Sequence, residues 1–86
     1  MTTIPLSKNY HKEQYQKFLD VLRQARLDSN LTQSQVAKLL GRSQDWVSRC
    51  ETGEHRVDLV ELSAFSEAYG KPISYFLSAL KKGSKQ

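Results

Sequence analysis

Apolar residues recur at helical spacing along most of the chain. Between residues 9 and 29 they stand mostly three or four positions apart, separated by Lys, Glu, Gln and Arg. This spacing is typical of one long amphipathic helix. Its apolar positions are Tyr15, Phe18, Leu19, Leu22, Ala25 and Leu27. No segment alternates apolar and polar residues for long enough to predict a strand, so the pattern indicates an all-α fold.

Capping signals predict a short second helix. Thr32 and Gln35 form a capping box, in which each side chain accepts a hydrogen bond from a free backbone amide. A helix should therefore begin at Gln33. Gly41 should end it, because glycine adopts left-handed backbone at little steric cost. The apolar positions expected to face the core are Val36, Leu39 and Leu40.

A third helix of similar length should follow the glycine. Ser43 can cap it, and Asp45 lies in its first turn, where the helix dipole favours negative charge. Val47 and Cys50, three residues apart, should point inward, and Gly53 should end the helix.

Two further helices complete the pattern. Asp58 and Glu61 make a second capping box, which opens a helix that ends at Gly70. The helix runs through the apolar positions Leu59, Leu62, Phe65 and Ala68. Pro72 then begins a fifth helix near residues 73–80, since proline suits the first turn of a helix.

A chain of 86 residues supports one compact domain with a modest core. We expect residues 1–8 to be a flexible arm, residues 9–80 to form the domain and residues 81–86 to be a lysine-rich tail. So small a core leaves little room for an enclosed substrate cavity. His11 and His55 are far apart, and no nucleophile elbow, paired carboxylates or metal-ligand cluster stands out. We predict no enzyme activity, cofactor, metal or small-molecule ligand.

Charge and cysteine content restrict the class of binding partner and the cellular compartment. Thirteen Lys and Arg against nine Asp and Glu give a net charge of +4, which attracts a polyanion without identifying it. A single cysteine, Cys50, excludes an internal disulfide. No apolar run is long enough for a signal peptide or a membrane span. The sequence predicts a cytoplasmic protein without a membrane partner.

The second and third helices carry the functional signal. Two short helices joined by a tight glycine turn form an arrangement in which one crosses the DNA backbone and the next enters the major groove. Ala37 lies where the two helices cross, Gly41 makes the turn, and Val47 packs the second helix on the first.

The stretch LTQSQVAKLLGRSQDWVSRCETGE resembles the Cro and phage-repressor (XRE-type) helix-turn-helix family. The matching positions are Leu31, Thr32, Gln33, Ala37, Gly41, Val47, Ser48, Glu51 and Gly53. The resemblance extends over residues 18–77, with the motif itself at residues 32–52. It implies a five-helix lambda-repressor-like bundle of bacterial or phage origin that binds double-stranded operator DNA as a homodimer and regulates transcription. Repression is the expected outcome.

The resemblance also assigns residues to roles. Helix 44–51 becomes the recognition helix, and its base-reading positions are Gln44, Asp45, Ser48 and Arg49. Glutamine suits adenine and arginine suits guanine, whereas Asp45 either accepts from cytosine or acts at the helix cap. The expected phosphate contacts are Gln33, Arg42, Ser43, His55 and Arg56, for which a solvated surface position is the alternative.

Other matching positions are structural. The resemblance implies an ion pair between Arg26 and Glu51 that orients the recognition helix. Trp46 either packs at the helix junction or touches a thymine methyl, and we favour packing. Asn30 replaces a usual glycine, and Cys50 replaces a larger residue; a buried Cys50 would be inert, an exposed one redox-active.

A homodimer implies an inverted-repeat operator, with recognition helices about 34 Å apart. The candidate dimer contacts are Tyr69, Ile73, Tyr75, Phe76 and Leu80, although closing the core of a monomer would also use them. The alternative function is a protein-interaction adaptor or anti-repressor that kept the fold without DNA binding.

Overall fold

The structure, a computed structural model, describes residues 6–81. This part of the chain folds into five α-helices, α1 (Lys8–Asp28), α2 (Gln33–Leu40), α3 (Gln44–Thr52), α4 (Leu59–Tyr69) and α5 (Ile73–Lys81), and contains no strand. The predicted all-α, five-helix class is confirmed. None of these helices is long and apolar enough to cross a membrane.

The ends of the predicted arm and tail belong to helices. Ser7 caps α1, because its Oγ accepts from the amide of Tyr10 at 3.2 Å, and the helix begins at Lys8. Lys81 is the last residue of α5. The rest of the predicted arm and tail, residues 1–5 and 82–86, lies outside the described residues.

Local chemistry explains where the middle helices begin and end. Both predicted capping boxes are present, at the starts of α2 and α4. Gly53 has a φ of +88°, and a Cβ there would lie 2.9 Å from Cδ1 of Leu19. A larger residue would therefore meet both a strained backbone and the side of α1. Asn30, the replacement for a usual glycine, adopts a φ of +58°.

The core forms where α1 packs against α3 and α5 while α2 packs against α3 and α4. Its fully buried large side chains are Leu22, Val36, Val47, Cys50, Phe65 and Phe76. Each of the first four helices contributes, and Phe76 brings α5 against Phe18 of α1 with ring centroids 6.2 Å apart. One continuous core therefore fixes the relative placement of all five helices.

Three apolar positions of the helical pattern lie at the surface, and the buried position predicted for Leu39 is wrong. Leu27, Leu39 and Leu59 are 45%, 62% and 74% exposed. Leu27 lies five residues after Leu22, about 140° around the helix, whereas Arg26 lies four residues after it and turns inward. Periodicity marks a direction around a helix, but not whether a neighbouring helix reaches that point.

Candidate nucleic-acid interface

The α2–α3 pair presents one face of α3 outward. Ala37 is 4% exposed and Val47 fully buried, so these residues hold the two helices together. The predicted base-reading residues lie within about 140° of one another around α3 at 100° per residue. Three of them are exposed and Ser48 is half-buried; they are Gln44, Asp45, Ser48 and Arg49.

An ion pair between α1 and α3 lies beneath this face. Arg26 donates from Nε to Oε2 of Glu51 at 2.6 Å and from Nη2 to Oε1 at 3.2 Å. Its Nη1 donates to the carbonyl of Leu31 at 2.9 Å. The hydrogen bond to Glu51 raises the pKa of Arg26 above its ordinary value, in spite of the opposing effect of burial. The end of α3 is thereby tied to α1 and to the α1–α2 turn.

The same carboxylate begins a chain of hydrogen bonds to the surface, which we call the Glu51–Gln44 chain. Gln33 donates from Nε2 to Oε1 of Glu51 at 3.0 Å. Gln44 donates from Nε2 to Oε1 of Gln33 at 2.7 Å. Because a carboxylate only accepts, Glu51 sets the orientation of the Gln33 amide, and Gln33 in turn sets that of Gln44. A cavity of about 500 Å³ opens beside both glutamines, at the N-terminus of α2.

Asp45 and Arg49 are paired with each other on the outer face. Arg49 Nη2 lies 3.0 Å from Oδ2 of Asp45, and the side chains are 56% and 70% exposed. An exposed pair four residues apart contributes only about 0.3–0.5 kcal/mol, so another partner can replace it. The cap of α3 is Ser43, whose Oγ accepts from the amide of Trp46 at 3.1 Å.

Trp46 packs against α4. Its ring is stacked on Phe65 with centroids 5.7 Å apart and planes 6° from parallel. The guanidinium carbon of Arg42 lies 4.5 Å from the Trp46 ring centroid, and the His55 ring lies 5.5 Å away. Of the two roles considered for Trp46, the structure shows packing.

Two of the expected phosphate contacts face a carboxylate. Oε1 of Glu61 lies 3.0 Å from Nε2 of His55, and Oε2 of Glu61 lies 3.9 Å from Nη2 of Arg42. Glu61 also completes the cap of α4 by accepting from the amide of Asp58 at 2.9 Å. A phosphate at Arg42 or His55 would have to compete with this carboxylate. Sequence reasoning found Glu61 only as a cap, because nothing in the spacing shows that it reaches His55 and Arg42.

Arg56 lies on the other side of the loop. Its guanidinium carbon is 5.1 Å from the ring centroid of Tyr15, and its Nη1 is 3.4 Å from Nε2 of His11. The Tyr15 hydroxyl accepts from the amide of Val57 at 2.9 Å. The loop after α3 is thus held against α1.

Cys50 is fully buried between the helices. Burial raises the pKa of its thiol to about 12. The thiol is therefore protonated at neutral pH, and the structure favours the inert alternative over the redox one.

The expected dimer contacts divide into two groups. Tyr69 and Phe76 are 6% and 1% exposed and belong to the core, so they offer no surface to a second copy. They are buried because α5 must close the bundle against α1 and α4. Ile73, Tyr75 and Leu80 are half-buried and keep part of their surface.

Comparison with known proteins agrees with this geometry. A helix-turn-helix domain family model matches residues 18–72. Among solved structures, the chain is similar to an XRE-family like protein from Pseudomonas syringae pv. tomato str. DC3000. The two share 36% sequence identity over 91% of this chain and 95% of the other, with a TM-score of 0.83. No curated protein matches the chain significantly. The chain therefore belongs to the XRE-type helix-turn-helix family.

Proposed function

We propose that this protein is a sequence-specific double-stranded DNA-binding regulator of transcription that reads the major groove with α3. The Glu51–Gln44 chain carries the proposal, because it holds Gln33 and Gln44 together at the N-terminal ends of α2 and α3. A helix N-terminus attracts a phosphate through its free amides and dipole. A phosphate at Gln33 would place Gln44 at the neighbouring base edges.

The outer residues of α3 supply the chemistry for base reading. Gln44 suits adenine, because its amide can donate and accept at once, and Arg49 suits guanine in the same bidentate manner. Arg49 is free to change partners at little cost, since its pair with Asp45 is exposed. Released from Arg49, Asp45 can accept from the amino group of cytosine.

The regulator would act as a homodimer on an inverted repeat. One domain of this size covers one half-site, and a two-fold axis places two recognition helices about 34 Å apart. Ile73, Tyr75 and Leu80 retain exposed surface for contact with a second copy. Occupying a promoter in this way blocks other proteins, so we infer that the usual outcome is repression.

Selection from a pool of random duplexes tests this function. We expect the wild type to enrich an inverted repeat, and Gln44→Ala and Arg49→Ala each to relax it at one position per half-site. Gln24→Ala is the matched control, since Gln24 is an exposed glutamine on α1 that bonds to Asp28. It should leave the selected sequence unchanged.

Failure of the selection would favour the alternative function, a protein-interaction adaptor. Carboxylates already contact several cations of the interface, with Glu61 near Arg42 and Asp45 near Arg49. A surface neutralised in this way also suits a protein-interaction adaptor. Wild type that enriches nothing and does not bind duplex at low salt would contradict DNA binding and favour the adaptor.

A further inference from the structure

A groove between the first turns of α1 and the loop after α3 is basic on both walls. Its volume is about 810 Å³. Lys8 and Lys12 line it from α1, Arg56 lines it from the loop, and Thr52 lines it from the end of α3. Among the described residues that line this groove there is no Asp or Glu. We call it the α1 groove.

The cations of the α1 groove differ from those of the α3 face in lacking carboxylate partners. Arg26, Arg42 and Arg49 each lie within 4 Å of a carboxylate. Within residues 6–81, Lys8, Lys12 and Arg56 take part in no such ion pair. These three cations therefore have no direct carboxylate partner, which favours an anionic ligand between them.

The start of α1 adds to this field. Lys8 and Lys12 are four residues apart and share one helix face, where like charges repel. No acidic residue lies in the first turn, although the positive end of the helix dipole favours one there. An anion in the groove would relieve both effects.

Arg56 is held in place for such a ligand. Its guanidinium is stacked over Tyr15, whose hydroxyl also bonds to the amide of Val57. Holding the guanidinium in advance reduces the side-chain entropy that binding would otherwise cost. The groove thus combines one fixed cation with two flexible ones.

The position of the groove relates it to the recognition helix. Gln44 is the first of the nine residues of α3, and Thr52 is the last. At 1.5 Å per residue the helix is about 13 Å long. The major groove of DNA is about 12 Å wide, so the backbones that border it lie about as far apart as the two ends of α3.

We propose that the α1 groove binds a backbone phosphate of the duplex that α3 reads, on the strand opposite the one held at Gln33. This inference rests on the proposed function. In this proposal, Lys8, Lys12 and Arg56 contact the DNA backbone next to the C-terminal end of α3. These contacts add affinity without sequence preference.

The test compares the double variant Lys8→Ala/Lys12→Ala with wild type on a selected duplex. Each phosphate contact contributes about 0.9 to the slope of log K against log salt, so loss of this one phosphate should make the slope shallower by about 1. Between about 50 and 200 mM salt, the variant should therefore lose about three- to fourfold less affinity than wild type. Phosphate ethylation at one border of each half-site should block wild type and no longer affect the variant.

Lys17→Ala is the matched control. Lys17 is on the same helix but about 140° around it from Lys12 and does not line the groove. The slope of log K against log salt for Lys17→Ala should equal that of wild type. The double variant should melt like wild type, since Lys8 and Lys12 are exposed.

The outcomes separate the two proposals. If wild type binds duplex but the double variant keeps the full slope and the same ethylation pattern, the α1 groove is not a phosphate site. Equal losses in the double variant and Lys17→Ala would also overturn it, because they would indicate only a diffuse field. Wild type that binds no duplex would contradict the proposed function itself, and the groove's phosphate with it.

Discussion

The buried ion pair gives the sharpest prediction about stability. Replacing Arg26 by methionine keeps most of the side-chain volume but removes the charge and three donated hydrogen bonds. Glu51 then loses its counter-charge and keeps only the Gln33 amide as a donor, in a site where its side chain is only 4% exposed. The variant should be much less stable, because a buried charge without a partner is costly.

The size of the stability loss follows from the burial of both side chains of the pair. Side-chain exposures of 10% for Arg26 and 4% for Glu51 place it among buried pairs, for which loss of one partner costs about 3–5 kcal/mol. A domain of this size has a free energy of unfolding of about 5–15 kcal/mol. Arg26→Met should therefore lower the melting temperature by at least about 12 °C.

Urea denaturation of four proteins measures the coupling. They are wild type, Arg26→Met, Glu51→Leu and the double variant. We expect each single variant to lose about 3–5 kcal/mol and the double variant to recover most of that loss, since replacing both charges leaves no buried charge unpaired. A loss under about 1 kcal/mol in Arg26→Met, or losses that simply add in the double variant, would refute this reasoning.

Three further predictions concern other parts of the fold. Cys50 should resist iodoacetamide at about pH 8 while the protein is folded. Because its pKa is raised, only the unfolded chain ionises just above about pH 8.5, so the free energy of unfolding should fall as pH rises there. Gly53→Ala should lower the free energy of unfolding in urea denaturation by more than the roughly 1–2 kcal/mol that left-handed backbone costs, since its Cβ would also meet Leu19. Gly41→Ala should incur only the backbone cost, because its Cβ would point into free space. Trp46→Ala should lower the free energy of unfolding by about 3 kcal/mol in urea denaturation, because the ring is stacked on α4; unchanged stability with weakened DNA binding would assign Trp46 to the DNA instead.

The helix ends could be predicted because their causes are local. In the capping box of Thr32 and Gln35, each side chain bonds to a backbone amide three residues away. The left-handed residue at Gly41 likewise depends only on its own backbone. Such contacts lie within a few residues in the sequence, so a single sequence is enough to show them.

Contacts between distant residues could not be predicted in this way. Gln33 and Gln44 are 11 residues apart, and no pattern indicates that their side chains meet. The exposure of Leu39 does not follow from the sequence pattern for a related reason. It lies beside Ala64 and Ala68, which are too small to cover it, and periodicity does not report the size of a neighbour on another helix.

The phosphate contacts proposed for the α1 groove show the same limit. Lys8 and Lys12 stand in a stretch that could not be distinguished from a solvated helix face by sequence. Their importance depends on the loop that carries Arg56, which Tyr15 holds against α1. Only the folded chain brings these cations to one groove.

An amide chemical-shift map during titration with a selected duplex tests the central claim most directly. The account predicts that the perturbed amides cluster at residues 33–35 and 43–49, with a second group at residues 8–12 and 52–56. The amides of α4 and α5 away from the interface should change little. Perturbation centred on α4 and α5, or no perturbation at low salt, would contradict the claim that α3 and its surroundings bind DNA.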